Sequence, residues 1–165
     1  MPLDTEYYEF SAEIERIEEA MQDIAETLGP LDPDNPIVPT LEQQGSQLQS
    51  QADGLRWALR TWDVDGVTLA GLTGGEYGHV EDGMGEAGPG KARVYFVAKG
   101  TVEAPYVDEE MSLDDRVASA SGLHIGYLRW ADARVSELMS VEGNDGTRFN
   151  DLLVEARQKQ TSTDD

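Results

Sequence analysis

Between Tyr7 and Trp62 two trains of apolar residues repeat at steps of three and four, with a proline-rich bridge between them. The first, Phe10, Ile14, Ile17, Met21, Ile24 and Leu28, is a heptad seam on a helix expected to run from about Asp4 to Leu28, where Gly29-Pro30 ends it. The bridge, GPLDPDNPIVP, carries four prolines and reads as a stiff connector, because proline lacks the amide a helix interior needs. Behind Pro39, Thr40 and Gln43 have the spacing of a capping box that opens a second helix. Its seam is Leu41, Gly45, Leu48, Ala52, Leu55, Leu59 and Trp62. Two seamed helices on a short connector bury their stripes best as an antiparallel hairpin over residues 1–63. The same stripes are long enough for a modest coiled coil with another chain, so the seam is either internal or intermolecular.

After DVDG the texture changes, and 64–160 is expected to form a small, mainly helical domain. Val67–Ala70 reads as a short strand, and Thr73 with Glu76 forms a second capping box on a short helix through Val80. ARVYFVAKG, residues 92–100, is a compact apolar run. Its β-branched and aromatic content favours a buried strand and its flanks permit a helix, a choice that periodicity leaves open. Ser112 can cap a helix from Leu113 to about Ala120. A longer helix follows from near Ile125 to Val141, with Leu128, Ala131, Val135 and Leu138 on one face and Gly143 as its C-cap. Thr147 opens a last helix whose apolar side is Phe149, Leu152, Leu153 and Ala156, and residues 161–165 are expected to be a disordered tail. The fold class is therefore mainly α: an N-terminal antiparallel helical hairpin, then a small helical domain with a minor β element.

Charge narrows the habitat. Asp and Glu number 33 against 12 Lys and Arg, a formal net charge of -21, and the acids are spread from Asp4 to Asp165 rather than gathered in a tail. Lysine occurs only at Lys91, Lys99 and Lys159, and small residues are abundant. This pattern resembles the proteins of haloarchaea. At molar salt the Debye length falls to about 3 Å, so crowded carboxylates hardly repel, whereas dilute buffer would leave them pushing the compact state apart. A grip on nucleic-acid backbone is disfavoured, since phosphate binding needs clustered Lys and Arg. The absence of Cys removes disulfides, thiolate nucleophiles and Cys-ligated metal sites. With no signal-like start and no membrane-length apolar run, the chain is expected to be soluble, without a membrane partner, and to reside in the cytoplasm of a halophilic host or in a virion.

Motifs of chemistry are few. Gly83, Gly85 and Gly88 spell G-x-G-x-x-G, but a dinucleotide loop needs a strand before it and a helix starting within it, and its anion would here meet Glu81, Asp82 and Glu86. The segment 83–90 reads as a Gly-rich loop, and a small nucleotide-binding enzyme is the least favoured function. His79 and His124 have no histidine at helical ligand spacing. Asp63-Val64-Asp65-Gly66 and Asn144-Asp145-Gly146 lack the carboxylates a calcium loop requires at its first and last positions. Adjacent acids such as Glu109-Glu110 arise from composition. No catalytic, cofactor or metal residue is assigned, no cofactor is expected, and the chain is not expected to be an enzyme.

The candidate functional residues are those that could meet a protein: Phe10, Ile14, Ile17, Met21, Ile24, Leu48, Leu55 and Leu59 on the seams, and Trp57 beside them. Three stretches, VTLAGLTGGEYGHVED, YFVAKGTVEAPYVDEE and YLRWADARVSEL, together spanning about Val67 to Leu138, resemble in order and spacing the tail assembly chaperone-like proteins of long-tailed viruses and prophages. The resemblance implies a non-enzymatic protein that holds tail components during virion assembly, here from a haloarchaeal tailed virus or provirus. Its partners would be viral structural proteins and further copies of itself in a homo-oligomer. A permanent virion part, such as a head-tail connector or adaptor, is the alternative.

Overall fold

The computed structural model describes residues 4–86, 88–139 and 149–163. The chain is mainly helical with a small antiparallel sheet, the class its periodicity implies. Strand β1 (Thr5–Glu9) runs directly into α1 (Phe10–Leu28), which the connector joins to α2 (Val38–Thr61). Strand β2 (Gly66–Ala70) leads to α3 (Gly74–Met84) and α4 (Pro89–Gly100), followed by β3 (Thr101–Glu103), α5 (Leu113–Ala120), α6 (Ile125–Met139) and α7 (Phe149–Thr163).

The helices α1 and α2 are antiparallel. Phe10 meets Trp62, Arg56 pairs with Glu18, and Ile24 lies opposite Gly45. At the open end the helix expected from Asp4 gives way to strand, because β2 presents an edge on which Thr5–Glu9 can pair, Tyr8 opposite Val67 and Thr5 opposite Ala70. Tyr8 is buried against the core, while Thr5, Glu6, Tyr7 and Glu9 stay exposed. The sheet order is β1-β2-β3, with an irregularity in register at Thr68/Leu69.

Helix α2 starts two residues before the Thr40 capping box anticipated for it. Asp32 and Asn35 turn the connector by accepting from the backbone N–H groups of Asp34 and Ile37. Pro39 then falls in the first turn, where an absent N–H costs nothing, and no side chain caps the helix. The two caps read for α3 and α5 are in place. Thr73 Oγ1 accepts from Glu76 N while Glu76 Oε1 accepts from Thr73 N, and Ser112 Oγ accepts from Asp115 N. Residues 92–100 are helical. Tyr95, Val97, Ala98 and Gly100 are buried on more than one face of α4, which explains why no single period stood out. The expected end of α6 at Val141, its cap Gly143, the Asn144-Asp145-Gly146 turn, the start at Thr147 and residues 164–165 lie outside the described residues, while α7 itself extends to Thr163.

One cluster of buried side chains runs across position 63, where the sequence suggested a division: Tyr8, Phe10, Ile17 and Leu55 share it with Val67, Tyr127, Trp130 and Val135. Aromatic rings dominate it. Trp62 and Tyr127 are edge to face at 5.1 Å, and Tyr8 and Trp130 at 5.7 Å. Helix α6 enters by crossing α2 at two glycines. A Cβ on Gly54 would stand 1.9 Å from Tyr127 N, and one on Gly126 would stand 1.8 Å from Ser50 O, so neither position has room for a side chain.

A chain of buried hydroxyls ties the rear of this core together. Thr101 Oγ1 donates to Val97 O, and the Tyr106 hydroxyl lies 2.7 Å from Thr101 Oγ1 and 2.8 Å from the Tyr127 hydroxyl. Burial pushes the Tyr106 phenol up to about 12, although its hydrogen bonds to Thr101 and Tyr127 and the Arg116 charge pull it partly back. Burial likewise holds Tyr127 well above its ordinary value, with Tyr106 adding to the shift. A group whose pKa rises on folding stabilises the fold below the unfolded value, near 10, and loses that contribution as pH climbs through the folded value. Stability at molar salt is therefore expected to fall between pH 10 and 12, and Tyr106→Phe, with one ionisable phenol fewer, should flatten the fall. Thermal melting across that window checks both.

Candidate docking surface at the hairpin tip

The two ends of the hairpin are finished differently. At the base, Phe10, Ile17, Ala52, Leu55 and Ala58 are fully buried under α6 and the sheet. Toward the connector that cover stops, and Met21, Ile24, Leu28, Leu41 and Gly45 are only half-buried. They line an open trough of about 510 Å³ with Ala25, rimmed by Glu42, Ser46 and Gln49. Its floor is apolar because it continues the seams that close the core below it.

The nine residues singled out as protein-binding candidates divide accordingly. Phe10, Ile17 and Leu55 lie in the chain's own core. Ile14, Leu48, Leu59 and Trp57 are half-buried and pack against that core. Trp57 stacks on His124 at 5.9 Å and meets Trp62 edge to face at 5.2 Å, so it is an internal packing group. Met21 also touches the core from the trough, and with Ile24 it belongs to the open tip. Sequence reasoning did not single out Leu28, Leu41, Ala25 and Gly45 as binding residues, although three of them stand on the seams it identified.

Below the trough the hairpin is fixed by a buried carboxylate that sequence reasoning also missed. Glu13 accepts from Trp130 Nε1 at 3.0 Å and from Arg16 Nε at 2.9 Å. Arg134 Nε lies 2.9 Å away, an ion pair by distance whose angle is too poor for a hydrogen bond. Arg134 also pairs with Glu137 and lies over the Tyr8 ring. The signal was its register: Glu13 follows Phe10 by three and precedes Ile17 by four, on the buried side of the seam. Removing one member of a buried charge network strands the others, so Glu13→Ala is expected to cost about 3 kcal/mol or more, against a smaller loss for Glu13→Gln. Denaturation at constant molar salt reads the difference.

A second, polar cleft runs between α2 and α6, lined by Gln43, Gln47, Gln51, Arg93, Arg129 and Asp132. Its charged groups have partners, Arg93 with Asp132 at 3.5 Å and Arg129 with Ser50 at 2.9 Å. Burial raises the Asp132 carboxyl above its usual range, and the Arg93 guanidinium pulls it partly back. The Gly-rich segment joins two helices: Gly83 is in α3, Gly85 follows it at φ +59°, and Gly88 precedes α4. No strand leads into it, so the arrangement differs from a dinucleotide loop. His124 Nδ1 accepts from Gly126 N, and His79 is exposed on α3. Among the described residues no three His, Asp or Glu side chains gather as a metal site, and no helix is long and apolar enough to cross a membrane.

No family model, curated protein or solved structure matches this chain. The polar cleft between α2 and α6 is occupied by pairs that hold helices together, whereas the tip leaves apolar seam residues half-buried in an open trough.

Proposed function

We propose that this protein is a non-enzymatic docking protein of a salt-adapted tailed virus, acting in virion or tail assembly by receiving a partner's apolar helix. The observation that carries the reading is the trough at the hairpin tip. Two antiparallel helices leave between them an open groove lined by apolar side chains, and an amphipathic helix laid in such a groove is a recurring mode of recognition. Molar salt suits such contacts, because it screens the surrounding acids while leaving apolar association strong. The sequence resemblance to tail assembly chaperone-like proteins supports the viral setting. A permanent connector in the particle is the second reading, favoured by α7, whose Leu152, Leu153 and Val154 are exposed, as a subunit-joining helix requires.

The test uses virus or provirus propagated at molar salt, with mass spectrometry of finished particles and of tail intermediates. An assembly protein is present in the intermediates and absent from finished particles. Stoichiometric presence in finished particles selects the connector, and absence from both contradicts any role in assembly. Gly45→Leu, which fills the trough, is expected to abolish particle formation.

A further inference from the structure

We propose that the trough at the hairpin tip is filled by α7 of a second copy of this chain, so that copies join head to tail. This deepens the docking reading above and rests on it, by naming the occupant.

Four observations converge. First, α7 exposes apolar side chains. Leu152, Leu153 and Val154 are 50%, 36% and 52% exposed, and Leu152, Leu153 and Ala156 share a face at helical spacing. Second, the lengths match. From Met21 to Leu28 the trough follows two turns of α1, and Phe149 to Ala156 is two turns of α7, each about 10 Å at 1.5 Å per residue.

Third, the trough contains a glycine with no other explanation. Gly45 sits in the interior of α2, where glycine costs about 1 kcal/mol relative to alanine. A Cβ there would meet only Ile24 Cγ2, at an ordinary 3.8 Å. Unlike Gly54 and Gly126, Gly45 is not required by packing within the chain. Its missing side chain deepens the floor of the trough, as close approach of another helix requires.

Fourth, charge selects the occupant. Around the trough, residues 19–42 carry Glu19, Asp23, Glu26, Asp32, Asp34 and Glu42 with no Lys or Arg. A typical segment of so acidic a chain would bring like charge to this rim. Helix α7 is balanced in charge, Asp151 and Glu155 against Arg157 and Lys159. The occupant comes from another copy because α6 delivers the chain at the opposite end of the hairpin, where Leu138 lies beside Gly71 and Tyr8, and α7 leaves its leucines uncovered. Groove and helix are different patches, so the contact is heterologous and closes into a ring or extends as a filament.

Light scattering at molar salt tests this with wild type, Gly45→Leu and the double variant Leu152→Asp/Leu153→Asp. Wild type is expected to exceed the 18.1 kDa of one chain, and each variant to fall to it while keeping the wild-type circular dichroism. The double variant alters only exposed side chains, so it tests the contact even if Gly45→Leu perturbs α2. Mixing the two variants in equal amounts leaves one intact groove and one intact α7, and is expected to double the mass. A monomeric wild type, a double variant that stays oligomeric as in groove-to-groove pairing, or a mixture that stays monomeric would each overturn the proposal. A monomeric wild type melting higher than the double variant would mean that α7 covers its own groove. If wild type is monomeric while Gly45→Leu still blocks particle formation, the docking reading survives and this occupant fails. If Gly45→Leu particles assemble normally, the docking reading itself fails.

Discussion

Gly126→Ala is expected to leave no cooperatively folded protein at molar salt, or to lower stability by at least about 4 kcal/mol, the range reserved for severe core disruption. The added methyl would sit 1.8 Å from the carbonyl oxygen of Ser50, which is backbone in the middle of α2 and cannot turn aside. To admit it, α6 must lift off α2, and the packing of Tyr127 and Trp130 against Phe10 goes with it. Gly54→Ala attacks the same crossing from the other helix, meeting Tyr127 N at 1.9 Å, and should be equally damaging. The control is Gly45→Ala, also in α2, where a Cβ has room and the helix gains propensity. In the Leu152→Asp/Leu153→Asp background, where the trough is empty, its stability should rise modestly, by up to about 1 kcal/mol. Thermal melting of the three variants in one buffer decides the matter, and a Gly126→Ala melt within about 2 °C of wild type would mean that the helices do not cross there.

The second large effect is expected from salt. Moving from about 2 M to about 0.05 M salt lengthens the Debye screening from a few ångströms to more than the separation of neighbouring surface acids. A net charge of -21 on 165 residues then repels itself across the whole surface. The damage should begin at the tip. From Glu19 to Gln51 the chain carries six acids, Glu19, Asp23, Glu26, Asp32, Asp34 and Glu42, and no basic residue. At the base, Arg16, Arg56 and Arg134 pair with Glu13, Glu18 and Glu137 and should hold longer. The expected loss is several kcal/mol, more than about 10 °C in melting temperature for a chain of this length. Circular dichroism against salt, with sodium chloride and potassium chloride compared, measures it, and helicity unchanged at low salt would remove the inference of a brine-adapted surface.

What could be read in advance follows the range of the interactions. Helix α1 from Phe10 onward, α2, and the caps at Thr73 and Ser112 depend on residues within a turn or two, and their spacing announces them. Strand β1 was hidden because Tyr7 and Phe10 continue the three-four spacing backwards, while the pairing that makes Thr5–Glu9 a strand comes from Gly66–Ala70, some sixty residues away. The run 92–100 carried no period because the fold covers it on several sides. Glu13 was concealed by composition, being one of 33 acids, and only its register marks it as internal.

The docking candidates show the same limit. A seam states that a face must be covered and leaves open by what. Helix α6 covers Phe10, Ile17 and Leu55, and it arrives from far along the chain, through a crossing that two glycines permit. The sequence shows those glycines but not their partners. The uncovered remainder, Met21, Ile24, Leu28 and Leu41, is defined only once α6 is in place.

Hydrogen exchange at molar salt, followed over a series of protein concentrations, tests most directly whether that remainder is a docking site. Amides of residues 21–28 and of 149–156 are expected to gain protection together as concentration rises, while those of residues 10–17 in the core stay constant. Protection of the tip that is independent of concentration, or that changes without α7, would contradict it.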